Sequence, residues 1–339
     1  MKKLKKIIFL AFPLLLAGNT HAQDPSFSQF FSSPLNINPA LTANINADWR
    51  LISNFRNQWL GPASPYVTGT VSFDRKIFQN KVPNMPEGNV MGIGAMLMMD
   101  RAMGGIAKSI YASTNLSYSV KLTEGDNINK VTAGFGAIYG NRTIEWDRID
   151  FEEQFTGFGF NTNLPTGEVS LSNMKPYFSA SAGLTYSSTN EKSNFDIGVA
   201  AFHVNKPKQT FLKDPNQILA MRKVVHANFE TFLKERVVLN TNAIYQYQSK
   251  ASYYSFGAAI GYYPPSQHDI LLTGGIWYWS DNAIVPYTGF SYGDFQVGIS
   301  YDLTISKLNE APRRPNTWEL SLILRGRSTP PVVIPCPWK

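Results

Sequence analysis

Apolar and polar residues alternate with a period of two over segments of about ten residues along most of this chain. In Ile110 to Lys121, Ile110, Ala112, Leu116, Tyr118 and Val120 fall on one face, and Tyr111, Ser113, Asn115, Ser117 and Ser119 on the other. Tyr177 to Ser187 repeats the scheme, with Phe178, Ala180, Ala182, Leu184 and Tyr186 against Ser179, Ser181, Gly183, Thr185 and Ser187. Phe295, Val297, Ile299, Tyr301 and Leu303 oppose Gln296, Gly298, Ser300 and Asp302. Trp318, Leu320, Leu322 and Leu324 alternate with Glu319, Ser321 and Arg325. Alternation of this length predicts strands with one apolar and one polar face. Fourteen such strands are expected, beginning near Asp48, Tyr66, Asn89, Lys108, Ile128, Lys175, Asn194, Arg222, Arg236, Ser252, Asp269, Ala283, Asp294 and Asn316.

Two architectures use strands of this kind. A secreted soluble sandwich buries the apolar faces between two sheets, whereas an outer-membrane barrel turns them toward lipid. The polar faces here are rich in Gly, Ser, Thr and Asn, where a soluble protein's solvent face carries more Lys and Glu. The segments also approach the length a tilted transmembrane strand needs, roughly 9 to 11 residues. Aromatics cluster near strand ends, at Tyr262 and Tyr263, Trp277 to Trp279, and Tyr287, where girdles at the membrane interfaces are expected. An even strand number places both termini in the periplasm. Long connections should then follow odd-numbered strands, as they do at Asn141 to Met174, Asn205 to Met221 and Ser306 to Pro315. Thr123 to Asn127, Thr189 to Ser193, Lys234-Glu235 and Tyr292-Gly293 are the short ones. Lys76 to Gly88, after the second strand, breaks the parity. The expectation is an all-β, antiparallel transmembrane barrel spanning 48–326.

Residues 1–22 read as a cleaved signal peptide. Lys2, Lys3, Lys5 and Lys6 precede an apolar core from Ile7 to Ala17, and Thr20-His21-Ala22 supplies a small-residue exit. The four lysines account for more than half of the formal charge of +7, so the mature chain is near +3 and is no basic nucleic-acid binder. One cysteine, Cys336, excludes an intramolecular disulfide framework.

Residues 23–47 fit neither strand nor helix. Pro25, Pro34 and Pro39, with Asn36, Asn38 and Asn44 and the aromatics Phe27, Phe30 and Phe31, predict turns and extended pieces. A barrel of about fourteen strands encloses a lumen wider than its own side chains fill, so this segment is expected to be a lumen plug or a docking peptide. The end of the chain, 327–339, contains STPPVVIPCPWK and reads as a Pro-rich periplasmic tail in which Cys336 and Trp338 are contact candidates.

Candidate chemistry is sparse. His203, His226 and His268 stand apart from Cys or paired carboxylates at metal-ligand spacing. The acidic run from Glu145 to Glu153 lacks the alternating pattern of a cation loop. No nucleophile elbow, P-loop or dinucleotide fingerprint occurs. Neither a catalytic residue nor a cofactor is expected. Phe155, Phe158 and Phe160 in a Gly-rich loop, and Lys206, Lys208 and Lys213 in another, are candidate extracellular partner contacts.

Four sequence blocks resemble the PorP/SprF family of type IX secretion outer-membrane proteins. They are QDPSFSQFFSSPLNINPAL at the opening, RLISNFRNQW followed by TGTVSFD, GIGAMLMMDRAMGG, and SYDLTISKLNEAPRRPNTWELSL near the end. Ala43 stands where the family usually has Gly, and Ala102 and Met103 depart from the third block. The resemblance implies an outer-membrane barrel of Bacteroidetes-type bacteria that assists secretion or surface anchoring of a large adhesin of the kind used in gliding. Its implied partners are outer-membrane lipid, the C-terminal targeting domain of that adhesin and periplasmic ring components of the secretion machine. It also implies a structural or partner-binding role for Gln23, Asp24, Pro25, Phe27, Ser28, Gln29, Phe30, Asn38, Pro39 and Ala40. The alternative of the same architecture is a diffusion porin or hydrophobic-solute transporter.

Overall fold

A computed structural model describes residues 24–61, 64–78, 88–123, 127–168, 173–209, 217–265 and 269–327. Residues 1–22, expected to be a signal peptide, Gln23, Lys213, His268, and Cys336 and Trp338 lie outside these. The alternating segments form antiparallel strands β1 (Trp49–Leu60), β2 (Tyr66–Ile77), β3 (Val90–Ala102), β4 (Ala107–Lys121), β5 (Ile128–Ile144), β6 (Tyr177–Thr189) and β7 (Ser193–Phe202). They continue as β8 (Arg222–Lys234), β9 (Val237–Gln248), β10 (Ala251–Tyr262), β11 (Ile270–Trp279), β12 (Ala283–Tyr292), β13 (Phe295–Tyr301), β14 (Leu303–Thr304) and β15 (Asn316–Gly326). Both β13 and β14 pair with β12, so they are two pieces of one stave interrupted at Asp302. The fifteen segments therefore make fourteen staves, each beginning within two residues of its expected start.

Each strand pairs with its sequence neighbours, and β1 pairs with β15 from Trp49↔Gly326 to Leu60↔Asn316, which closes the sheet on itself. Closure pairs the backbone of every stave on both sides, the condition for crossing lipid with strands. Among the described residues no helix is long and apolar enough to cross a membrane.

Burial along the strands is inverted relative to a soluble protein. In β4, Ile110, Leu116, Tyr118 and Val120 are exposed, while Tyr111, Ser113, Asn115 and Ser117 are buried. In β6, Phe178, Leu184 and Tyr186 are exposed, and Ser179, Ser181, Thr185 and Ser187 are buried. The apolar face is the outer surface of the barrel, which suits lipid, and the polar face lines a filled lumen.

One part of the aromatic expectation is corrected. Tyr262 is exposed, but Trp277, Trp279 and Tyr287 point into the lumen and are 2%, 7% and 7% exposed. Trp277 and Tyr287 pack against Phe31 of the N-terminal segment, and Trp279 against Arg56 and Tyr253, instead of forming a membrane-interface girdle.

The end of the barrel where β1 begins is called the base, and the opposite end the mouth. The long connections 145–176, 203–221 and 305–315 are at the mouth. At the base, the connection 78–89 is the long one. Trp49 and Gly326 share the base, as expected for the ends of the strand region. Asp24, however, bonds Arg222, His203 and Gln248, which lie at the start of β8, just past β7 and at the end of β9. Those positions are all at the mouth. Asp24 therefore lies at the mouth, while the last strand ends at the base.

Candidate functional site in the barrel lumen

The segment from Asp24 to Ala47 runs through the lumen as a series of single turns, Phe30–Ser32, Pro34–Ile37 and Pro39–Leu41. Pro34 and Pro39 each open a turn, where a missing N–H costs nothing and the fixed φ is already helical. The Asn38 Oδ1 accepts the Ala40 N–H at 2.8 Å, and the Thr42 hydroxyl donates to the Pro39 carbonyl at 2.7 Å. These local bonds replace the ladder that the prolines forbid. Ala43 has φ of +57° and Met103 φ of +53°, so these two of the three departures fall on left-handed backbone, while Ala102 is extended.

The lumen wall grips this segment at four places. Near the mouth, Asp24 Oδ2 lies 2.8 Å from His203 Nε2 and 3.2 Å from Arg222 Nε. The Asp24 N–H donates to Gln248 Oε1 at 2.9 Å. His203 Nδ1 lies 2.8 Å from Ser179 Oγ, so both ring nitrogens have polar partners. Burial pushes the Asp24 carboxyl upward, but the charges of His203 and Arg222 and the bonds from His203 and Gln248 overcome it. The carboxyl is held well below the usual range.

The second grip is a buried charge cluster. Arg56 on β1 pairs with Glu319 on β15 and, at 3.0 Å, with Asp302. All three side chains are at most 3% exposed. Glu319 also accepts the backbone N–H groups of Ser28 at 2.7 Å and Gln29 at 2.8 Å. The Ser28 hydroxyl accepts from Arg56 at 2.7 Å and donates to Asp302 at 2.9 Å. The Gln29 amide donates to Ser300 Oγ, while its carbonyl oxygen accepts from Ser321. Arg56 also sits 4.8 Å above the Trp279 ring. Charges buried this deeply persist only when paired and hydrogen-bonded, and the segment supplies several of the required bonds.

Further toward the base, Asn38 is fully buried, with Nδ2 within 3.2 Å of Leu184 O, Thr185 Oγ1, Val199 O and His226 Nε2. At the base end, Asp74 binds Arg50 through both carboxylate oxygens and accepts the Ala43 N–H at 2.6 Å. Apolar packing fills the spaces between these grips. Phe31 stacks on Trp277 with ring centroids 4.7 Å apart and meets Tyr287 edge-on at 5.5 Å. Phe27, Phe30, Leu35, Ile37 and Leu41 are buried beside it.

Two wall glycines are shaped to this path. A β-carbon on Gly134 would lie 2.2 Å from the Ala40 nitrogen, and one on Gly183 would lie 1.9 Å from Asn38 Oδ1. Neither position has room for a side chain while the segment is in place.

The structure thus brings Asp24, Pro25, Phe27, Ser28, Gln29, Phe30, Asn38, Pro39 and Ala40 together in one lumenal run. The loop candidates lie apart from it. Phe155 and Phe160 bridge across a short hairpin with rings 5.2 Å apart, and Phe155, Phe158 and Phe160 are all exposed. Lys206 and Lys208 are exposed on the connection between β7 and β8. Arg56, Asp74, His203, Arg222, His226, Asp302 and Glu319 were not among the sequence candidates. The signal that marks most of them is a charge or imidazole at the polar phase of a strand otherwise lined by Ser, Thr, Asn and Gly. Among the described residues no group of three or more His, Cys, Asp or Glu could hold a metal ion.

Comparison with known proteins places this geometry. Solved barrels of similar architecture include the monoaromatic hydrocarbon channel CymD, at 11% identity over 88% of this chain and 93% of that one, with a TM-score of 0.48. The Pseudomonas putida toluene transporter TodX matches at 11% identity over 86% and 92%, with a TM-score of 0.47. Acinetobacter baumannii Omp33 matches at 8% over 82% and 98%, with a TM-score of 0.38. No curated protein sequence matches the chain significantly. The family model for the type IX secretion system membrane protein PorP/SprF matches residues 19–324, nearly the whole chain. This outer-membrane barrel belongs to the PorP/SprF family of type IX secretion system membrane proteins.

Proposed function

We propose that the protein is a non-enzymatic accessory of type IX secretion whose lumen is plugged by its own residues 24–47. In this reading it assists secretion and surface anchoring of a cognate large adhesin. The base faces the periplasm, where the Pro-rich tail and the rim meet the periplasmic ring of the machine. The mouth faces outward and presents Phe155, Phe158, Phe160, Lys206 and Lys208 to the adhesin's C-terminal targeting domain. The observation that carries the reading is the grip of Arg56, Asp302 and Glu319 on Ser28 and Gln29. A barrel that commits buried charges to holding its own chain across the lumen is built as a scaffold, whereas a diffusion pore leaves that path to solute.

Deleting the gene and profiling the cell surface tests the role. One or a few large adhesins should disappear while other type IX cargo is still exported, and an unchanged surface would overturn the proposal. Planar-bilayer recording separates it from the porin reading, since a steady open conductance of the intact protein would favour the porin.

A further inference from the structure

At the mouth, beside Asp24 and Pro25, lies a cavity of about 690 Å³. Ligand pockets typically span about 300–1,000 Å³. Its walls are the inner faces of strands at both sides of the barrel. Trp59 and Tyr66, from β1 and β2, meet edge-on at 5.4 Å, and Tyr253 and Trp279, from β10 and β11, lie 5.3 Å apart. Between the two aromatic pairs stand Gln58, Asp100, Arg142 and Asn282. Asp100 accepts from Thr68 at 2.6 Å, and Arg142 donates to Ser109 at 3.0 Å, so both charged groups are held in place.

Trp59 reaches this cavity through a distortion. The pairing of β1 with β15 shifts register between Asn57 and Leu60, and Trp59 has φ of +62°, a left-handed conformation that is unfavourable for a bulky residue. Its N–H donates to Thr317 Oγ1 at 3.0 Å, which fixes the bulge. In regular pairing Trp59 would face out beside Phe55; the bulge instead puts it on the cavity wall next to Gln58. Strained backbone that re-aims one aromatic side chain is characteristic of binding sites.

We infer that this mouth cavity binds a neutral saccharide, with pyranose rings stacked on Trp59, Tyr66 and Tyr253 and hydroxyls bonded by Asp100, Asn282 and Gln58. Three observations converge on that chemistry. The carboxylate of Asp100 and the guanidinium of Arg142 balance each other, and Asp24 is already paired with His203 and Arg222, so no net charge selects an ion. The walls mix ring faces with amide and carboxylate groups, matching a ligand with apolar C–H faces and a polar hydroxyl rim. They are also inner faces of fully paired strands, which offer side chains but no free backbone edge for an extended peptide. The inference is independent of the adhesin assignment.

The test titrates the purified full-length barrel with maltotriose, N-acetylchitotriose, trigalacturonate and the cationic glucosamine trimer, read by tryptophan fluorescence and calorimetry. A neutral trisaccharide should bind, and Trp59→Ala and Asp100→Asn should each weaken it at least about tenfold. Heat-modifiable gel migration verifies that both variants fold, and Ile197→Ala on the outer face should leave binding unchanged. A second arm compares outer-membrane glycolipid with the polysaccharide released from it. Binding of the released glycan, with the same two variants defective, identifies the glycolipid as a source of the sugar. Absence of binding to any neutral saccharide, tighter binding of either charged trimer, binding indifferent to both variants, or glycolipid binding that needs the lipid would overturn the inference.

Discussion

Gly134 on β5 lies directly against the backbone of Ala40, so close that a β-carbon there would sit 2.2 Å from the Ala40 nitrogen. Backbone cannot swing aside as the end of a flexible side chain can. Gly134→Ala is therefore expected to displace the Pro39–Leu41 turn and cost about 1–3 kcal/mol, the usual range for overpacking. The barrel strands should still form, because their pairing does not involve the missing methyl. Limited proteolysis should show faster cleavage within residues 24–47, with gel migration of the folded barrel retained. Gly183→Ala, which would strike Asn38 Oδ1, should behave the same way.

Removing Asp24 to Asn44 should turn a closed barrel into an open one. The wall residues these bonds engage are polar and would be met by water. Planar-bilayer conductance should rise from near silence to steady open channels, while the outer face and its lipid contacts stay unchanged. Conductance equal to that of the intact chain would show that something else blocks the lumen.

Arg56 stands between two buried carboxylates, and its loss leaves both uncompensated. Arg56→Met should destabilise the folded barrel by roughly 3–5 kcal/mol, the cost of breaking a buried ion pair from one side. Glu319→Gln keeps the shape and should cost less, roughly 1–3 kcal/mol, chiefly through weaker acceptance of the Ser28 and Gln29 N–H groups. The temperature at which the compact form is lost on a detergent gel ranks the two variants.

Asp24 gives the mouth grip a specific response to acid. Folding lowers its carboxyl pKa, so its contribution is fully present above the unfolded value of about 3.9 and is lost as pH falls toward the folded one. The stability difference between the parent and Asp24→Asn should shrink as pH falls below about 4. Measuring both proteins at each pH isolates this carboxyl from other titrating groups. A difference that fails to shrink below about pH 4 would contradict the pairing with His203 and Arg222.

The strand pattern was legible because lipid on one side and a polar lumen on the other impose opposite demands at alternate residues. Ile110, Leu116 and Phe178 could be placed on the outer face from their spacing alone. Trp277 and Trp279 could not, since Ile276 to Trp279 is apolar at every position and carries no phase. Inside the barrel Trp277 meets Phe31, a partner more than 240 residues away, and Trp279 meets Arg56 from the first strand. Asp302 and Glu319 were legible as polar-face residues, but their convergence on Arg56 depends on closure of the barrel, which alternation does not encode. The breaks at Pro25, Pro34 and Pro39 announced a non-strand segment without giving its direction through the lumen.

The pairing of Gln29 with Glu319 joins residues 290 positions apart, and Glu319 and Arg56 lie on the two strands that meet last. Until β15 finds β1, a nascent barrel has two open edges and could join them one residue out of step. Such a slip would turn Glu319 toward lipid and strand the N–H groups of Ser28 and Gln29 without an acceptor. The first residues of the described chain therefore act as a gauge for the final seam. In the observed register the seam and the segment satisfy each other's hydrogen bonds.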